Sequence, residues 1–192
     1  MASHFYYGIK FDTNKLFESY LEIKDFYNSN DQIALQHLAS TTENKHKDGI
    51  GWLDRSDIVP SDYLFNIWNE EIEDTYIIEC LKSLPFPVVR SRIMVQPPKS
   101  CYTLHKDKVP RMHIPIYGAY DTTGKGGRFV FTHGEIMKFE EGQVILVNTT
   151  LEHTAMNCSN SKERIHIVSC LPELNESNNE ELKRIYSKFS LY

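Results

Sequence analysis

The sequence predicts a mainly β protein with N-terminal helices, its strands forming an antiparallel sandwich or jelly roll. Two observations carry this. From residue 88 onward, short β-rich runs follow one another at close spacing, with turn residues and no helical period between them. Before residue 88, apolar residues recur at intervals of three and four in stretches bounded by capping residues and prolines. With 192 residues and no repeat, low-complexity tract or linker, the expectation is a single domain. It divides into an α/β support over 1–87, a jelly-roll core over 88–171 and a peripheral tail over 172–192.

Phe5, Tyr7, Ile9 and Phe11 alternate with other residues, as in a first strand. Asp12 or Thr13 then caps a helix in which Leu16, Tyr20, Ile23 and Tyr27 form one face. Gln32-Ile33-Ala34-Leu35-Gln36 reads as a second strand, and the polar residues 41–51, ending in Gly49-Ile50-Gly51, as a loop. Asp74 is placed to cap a second amphipathic helix carrying Tyr76, Ile77, Cys80, Leu81 and Leu84, which Pro85 and Pro87 end. Further strands are expected at 88–95, 101–105, 111–117, 128–132, 136–139, 143–149 and 164–171. Turns at Gln96-Pro97-Pro98, Gly124-Lys125-Gly126-Gly127, His133-Gly134 and Glu141-Gly142 separate them. From Pro172 the chain is polar, then weakly helical.

Composition removes whole classes of function. Twenty-one basic residues against 26 acidic ones leave a formal net charge of -5, which argues against a general nucleic-acid binder. No run of 18 apolar residues is present to cross a membrane. Met1-Ala2-Ser3-His4-Phe5 lacks the basic and apolar segments of a signal peptide, so a cytoplasmic location is expected. Cys80, Cys101, Cys158 and Cys170 have no CxxC spacing and read as reduced packing thiols.

Three histidines stand two residues before an acid: His46 and Asp48, His105 and Asp107, His133 and Glu135. Context separates them. The first pair lies in a charged loop and the second of the weak pairs, His133 and Glu135, straddles a hairpin glycine. His105 and Asp107 instead follow the strand-like Ser100-Cys101-Tyr102-Thr103-Leu104, where residues i and i+2 project to one side. His153, beyond the apolar run from Gln143 to Val147, supplies a third ligand. Two His and one carboxylate leave open positions on a metal, as in non-haem Fe(II) oxygenases. Arg164, His166 and Val168 share a strand face opposite Ile165 and Ile167, and Arg111, His113 and Pro115 do the same opposite Met112, Ile114 and Ile116. An arginine aimed into a sandwich requires an anion, and a dicarboxylate such as 2-oxoglutarate would supply one. The Gly118–Gly126 segment lacks the spacing and the Ser/Thr of a phosphate loop. Cys101 and Cys158 have no orienting acid and read as buried thiols, while Trp52, Tyr102, Tyr117 and Tyr120 are candidates to line a cleft.

Five segments from Arg92 to Leu171 resemble the aspartyl/asparaginyl β-hydroxylase family of Fe(II)- and 2-oxoglutarate-dependent oxygenases, which includes hydroxylases of free proline. They are Thr103-Leu104-His105-Lys106-Asp107, Arg111-Met112-His113-Ile114-Pro115-Ile116, Gly142-Gln143-Val144-Ile145-Leu146, Glu152-His153-Thr154 and Arg164-Ile165-His166. The resemblance implies a double-stranded β-helix, the cupin-like jelly roll. It implies His105, Asp107 and His153 as iron ligands and Arg164 as the partner of the far carboxylate of 2-oxoglutarate. Arg111, with His113 nearby, would contact the metal-binding end of that co-substrate. Some family members lack the carboxylate ligand, and Asp107 makes this chain similar to those that keep it. The implied activity is hydroxylation of an amino-acid side chain, free or in a peptide, using Fe(II), 2-oxoglutarate and O2. The rivals are a non-catalytic cupin-like binding module, a nucleic-acid oxygenase and a Zn(II) hydrolase on the same ligands.

Overall fold

The computed structural model describes residues 2–29, 32–50, 60–118 and 126–190. The N-terminal region supplies β1 (His4–Lys10), α1 (Thr13–Tyr27), β2 (Ile33–Ala34), β3 (Gln36–Leu38), β4 (Phe65–Trp68) and α2 (Tyr76–Lys82). Eight strands follow: β5 (Val89–Gln96), β6 (Ser100–Cys101), β7 (Arg111–Tyr117), β8 (Gly127–Phe131), β9 (Ile136–Lys138), β10 (Gln143–Val147), β11 (His153–Asn157) and β12 (Arg164–Cys170). Helix α3 (Glu180–Lys188) comes last.

Strand order defines the architecture. One antiparallel sheet runs β1-β10-β7-β12-β5-β2 and a second runs β6-β11-β8-β9. From β5 to β12 the chain changes sheet at every step except the β8–β9 hairpin. That winding is a jelly roll, the double-stranded β-helix, with β1 and β2 added at the two edges of the larger sheet.

Alternation along each strand separates two faces. Ile93, Met112, Ile114, Ile116, Leu146, Ile165 and Ile167 point outward and join one apolar cluster with Leu16, Tyr20 and Ile23 of α1 and Ile77, Ile78 and Leu81 of α2. Each such side chain contributes about 1.5–3 kcal/mol when fully buried. A smaller cluster between the sheets holds Phe129, Phe131, Met137 and Phe139 against Ile145, Val147 and Ala155. Asp12 caps α1, its carboxylate accepting from the N–H groups of Asn14 at 2.9 Å and Lys15 at 3.1 Å; such a cap is worth about 1 kcal/mol. Gly142 has φ +78°, and a Cβ there would meet the Phe11 carbonyl oxygen at 2.4 Å, so only glycine lets β10 begin beside the end of β1.

Several expectations need correction. The run expected as one strand from Gln32 to Gln36 is two. Gln36 spends its side-chain amide on the Val88 carbonyl and the Ser91 N–H, occupying the β5 edge where pairing would continue. The chain therefore turns at Leu35 and pairs β3 with β4, a strand the sequence reading omitted. Helix α2 is capped at Thr75, not Asp74, and the Thr75 hydroxyl turns back to the Ile72 carbonyl. The strand expected over 101–105 ends at Cys101, and β11 was not anticipated. The tail is not peripheral: Leu182, Ile185, Tyr186 and Phe189, at helical spacing on and just after α3, are buried in the outer cluster.

Candidate metal centre

The centre is assembled by backbone pairing between the two sheet ends. After Cys101 the chain leaves β6, then rejoins β11 at one rung, where the His105 N–H donates to the His153 carbonyl at 3.0 Å. The reciprocal bond is 2.9 Å, and the two imidazole centroids lie 4.5 Å apart. The Asp107 N–H donates to the Thr149 carbonyl at 2.8 Å, which brings its carboxylate under the same pair.

Each imidazole is oriented from behind. Nδ1 of His105 lies 2.7 Å from the Thr103 carbonyl, and Nδ1 of His153 lies 2.8 Å from the Leu151 carbonyl. A carbonyl only accepts, so Nδ1 carries a proton and Nε2 is the nitrogen left to act as a ligand. The His153 ring also stacks on Phe129 at 4.8 Å. Burial pushes the His153 pKa below its ordinary value, which favours the neutral, ligating form.

The three side chains converge. Nε2 of His105 is 4.0 Å from Asp107 Oδ1 and Nε2 of His153 is 3.8 Å from Asp107 Oδ2. One ligating atom from each residue falls within 4.8 Å of the others. Arg111 Nη2 donates to Asp107 Oδ1 at 2.5 Å, while Oδ2 is buried without a partner. A buried carboxylate oxygen left bare beside two imidazole lone pairs is a donor set that a divalent cation would satisfy. The residues present therefore fit an Fe(II)-type ion.

They open onto a cavity of about 390 Å³ that also receives Arg92, Arg111, His113, Phe129 and Arg164. Arg164 is 3% exposed; Nη1 donates to Gln96 Oε1 at 2.7 Å, and Nε has no partner. Its guanidinium lies over the Phe139 ring at 5.2 Å. Burial lowers its pKa to about 10, the sign of a cation placed where no counter-ion offsets desolvation. His113 and His166 are also buried, with both ring nitrogens of each unpartnered and their pKa values driven well below 6.5 by burial.

The structure thus brings together His105, Asp107, His153, Arg111, His113 and Arg164. The weaker pairs remain outside. Asp48 accepts from the Leu38 N–H and the Thr41 hydroxyl within its loop. His133 and Glu135 form a turn, and Glu135 accepts from the Ser3 hydroxyl. Tyr102 lines the cavity, whereas Tyr117 packs on Phe17 in the outer layer. Trp52, Tyr120 and most of the Gly118–Gly126 segment lie outside the described residues. Cys101 and Cys158 are exposed, not buried as expected, because they lie where β6 and the end of β11 form the margin of the smaller sheet. Sequence reasoning assigned no role to Arg92 and Gln96. Their signal was available: Arg92 and Gln96 share one strand face, opposite Ile93 and Val95.

No protein-family model matches the chain, and no curated protein matches it. Among solved structures, a Pseudomonas putida prolyl-4-hydroxylase is similar at 11% identity, over 89% of this chain and 88% of that one, with a TM-score of 0.48. The viral collagen prolyl hydroxylase of Paramecium Bursaria Chlorella virus-1 is similar at 10% identity over 88% and 91%, also with a TM-score of 0.48. A cupin domain from Bordetella pertussis Tohama I is 14% identical over 47% of this chain and 88% of that one, with a TM-score of 0.37. The jelly-roll assignment rests on the strand order and not on these likenesses.

Proposed function

We propose that this chain is an Fe(II)- and 2-oxoglutarate-dependent dioxygenase that hydroxylates an amino-acid side chain, free or in a peptide, within the aspartyl/asparaginyl β-hydroxylase family. The observation that carries the reading is the pairing, in one cavity, of a bare His-Asp-His donor set with a buried arginine that lacks an anion. A zinc hydrolase has use for the first and none for the second. When bound, Fe(II) with 2-oxoglutarate and O2 supplies the oxidising power to convert a C–H bond to C–OH, with succinate and CO2 as the co-products.

The chain's own residues hold and orient. His105 and His153 would hold the ion through Nε2 and Asp107 through Oδ2. Arg111 fixes the carboxylate through Oδ1 and would offer its buried, unpartnered Nε to the keto-acid end of the co-substrate. Arg164, steadied by Gln96 and Phe139, takes the far carboxylate as a charge-assisted fork. Phe129 walls the cavity, backed by Phe131 and Phe139 in the cluster between the sheets, and gives it an apolar side. The acidic balance of the chain suits a small molecule or peptide and not a nucleic acid, and no helix among the described residues is long and apolar enough to cross a membrane.

The test is anaerobic titration of the Fe(II)-loaded protein with 2-oxoglutarate, read by the visible charge-transfer band of the chelate. Arg164→Ala weakens the co-substrate about tenfold or more, equivalent to 1.4 kcal/mol, with Fe(II) affinity intact. Lysine there restores part of the loss. No band, and no 2-oxoglutarate consumed with any free amino acid or peptide, gives the site to a cupin-like binding module instead.

A further inference from the structure

Apart from the metal ligands, Arg111, Arg164 and the paired Arg90 and Asp62, the cavity has one buried charged group among the described residues, Arg92. Arg92 faces Val168 across β5 and β12, while Gln96 faces Arg164. The two arginines therefore leave the sheet on rungs four residues apart, roughly 13 Å along the strands. Arg92 is 4% exposed, lines the cavity, and has Nε and Nη1 buried without partners.

No carboxylate among the described residues pairs with it. Arg90 holds Asp62 at 2.7 Å and Arg111 holds Asp107 at 2.5 Å, so the nearby carboxylates are engaged by other guanidiniums. Burial and the neighbouring Arg111 and Arg90 disfavour its charge, while Cys170 and Asp62 favour it from a distance without pairing with it. Such a group is costly to bury alone, and its planar fork matches a carboxylate. The backbone is committed to the arrangement. Arg90 has φ +49°, a left-handed conformation that strains a non-glycine residue, at the point where β5 and β12 change register. The irregularity sends Arg90 to Asp62 and the Gly49 carbonyl and leaves Arg92 on the cavity face.

We propose that Arg92 is a second carboxylate subsite that binds the α-carboxylate of the substrate, which makes the substrate a free amino acid and not a residue within a peptide. The inference rests on the oxygenase reading, in which the co-substrate occupies Arg164. Size agrees: a cavity of about 390 Å³ shared with a five-carbon diacid leaves room for a molecule of amino-acid dimensions.

The experiment titrates free L-amino acids and their α-carboxamides, by calorimetry, into protein loaded with Mn(II) and 2-oxoglutarate. At least one acid binds the wild type about tenfold or more tightly than its amide. Arg92→Gln erases that preference, Arg92→Lys restores part of it, and 2-oxoglutarate affinity stays within about twofold in both. Matching thermal melts establish that the variants are folded; if Arg92→Gln is not, Arg92→Lys and Arg92→Met carry the comparison. The proposal is overturned if no acid outbinds its amide, if the preference survives Arg92→Gln, or if that variant loses 2-oxoglutarate instead. Failure of the oxygenase reading shows separately, as wild type that does not bind 2-oxoglutarate, and the acid–amide comparison is then made with Mn(II) alone.

Discussion

The outer and inner faces of the six-stranded sheet are built by the same strands, one residue out of step. Ile93, Met112, Ile114, Leu146, Ile165 and Ile167 line the outer face, and all are at most 2% exposed. Arg92, His113, Arg164 and His166 line the inner face at 4% exposure or less, with unpartnered nitrogens on every one. Equal burial has opposite meaning on the two faces. On the outer one it is the source of stability; on the inner one it is a cost that only a ligand offsets.

The inner face breaks most completely at Asp107. Asp107→Ala removes a ligand and strips Arg111 of its partner, so Fe(II) affinity falls at least ~100-fold and turnover is lost, as metal titration with a succinate assay would record. His133→Ala, in the same His-x-acid spacing but on an exposed turn, leaves both unchanged.

Stability should then move in opposite directions across the sheet. Ile167→Ala opens a void in the outer cluster and costs about 2–5 kcal/mol in urea unfolding. Arg164→Met, three residues away and facing inward, leaves the ligand-free protein equally stable or more stable by about 1–4 kcal/mol. A large loss in Arg164→Met would erase the distinction between the faces.

The smallest effect is in pH. The folded state keeps His113 and His166 neutral well below 6.5, whereas the unfolded rings take up protons near 6.5. The unfolded state therefore binds more protons, and stability falls as pH drops below about 6.5, by up to ~1.4 kcal/mol per pH unit for each ring. Urea midpoints of metal-free protein between pH 7.5 and 5.5 test this, and His166→Phe removes one ring's share of the slope. A flat profile across that interval contradicts the assignment of both rings as buried and neutral.

The same contrast explains what was legible in the sequence. Strands whose two faces are both apolar or sharply alternating, such as β7 and β12, were placed to within a residue, and the inward set Arg111, His113 and Arg164 came with them. Strand β11 escaped because its inward residues are His153, Ala155 and Asn157, and its outward ones Thr154 and Met156. A strand that gives its inner face to a ligand site surrenders the hydrophobic period by which strands are found. The division of Gln32 to Gln36 escaped for another reason: a side-chain amide, which no periodicity reports, interrupts the ladder. Helix α3 was undervalued because four apolar residues at helical spacing are set among Glu, Lys and Arg, and average polarity concealed one buried stripe.

Strand β1 pairs with β10, so Lys10 meets Gln143 about 130 residues later in the chain. During synthesis at about 5–20 residues per second, β1 emerges roughly 7–27 s before β10, its sheet neighbour among the described residues, exists. Throughout that interval Phe5, Tyr7 and Ile9 lie on an unpaired edge with no outer cluster to cover them. Until β10 is made, β1 is thus an open edge on which aggregation can start.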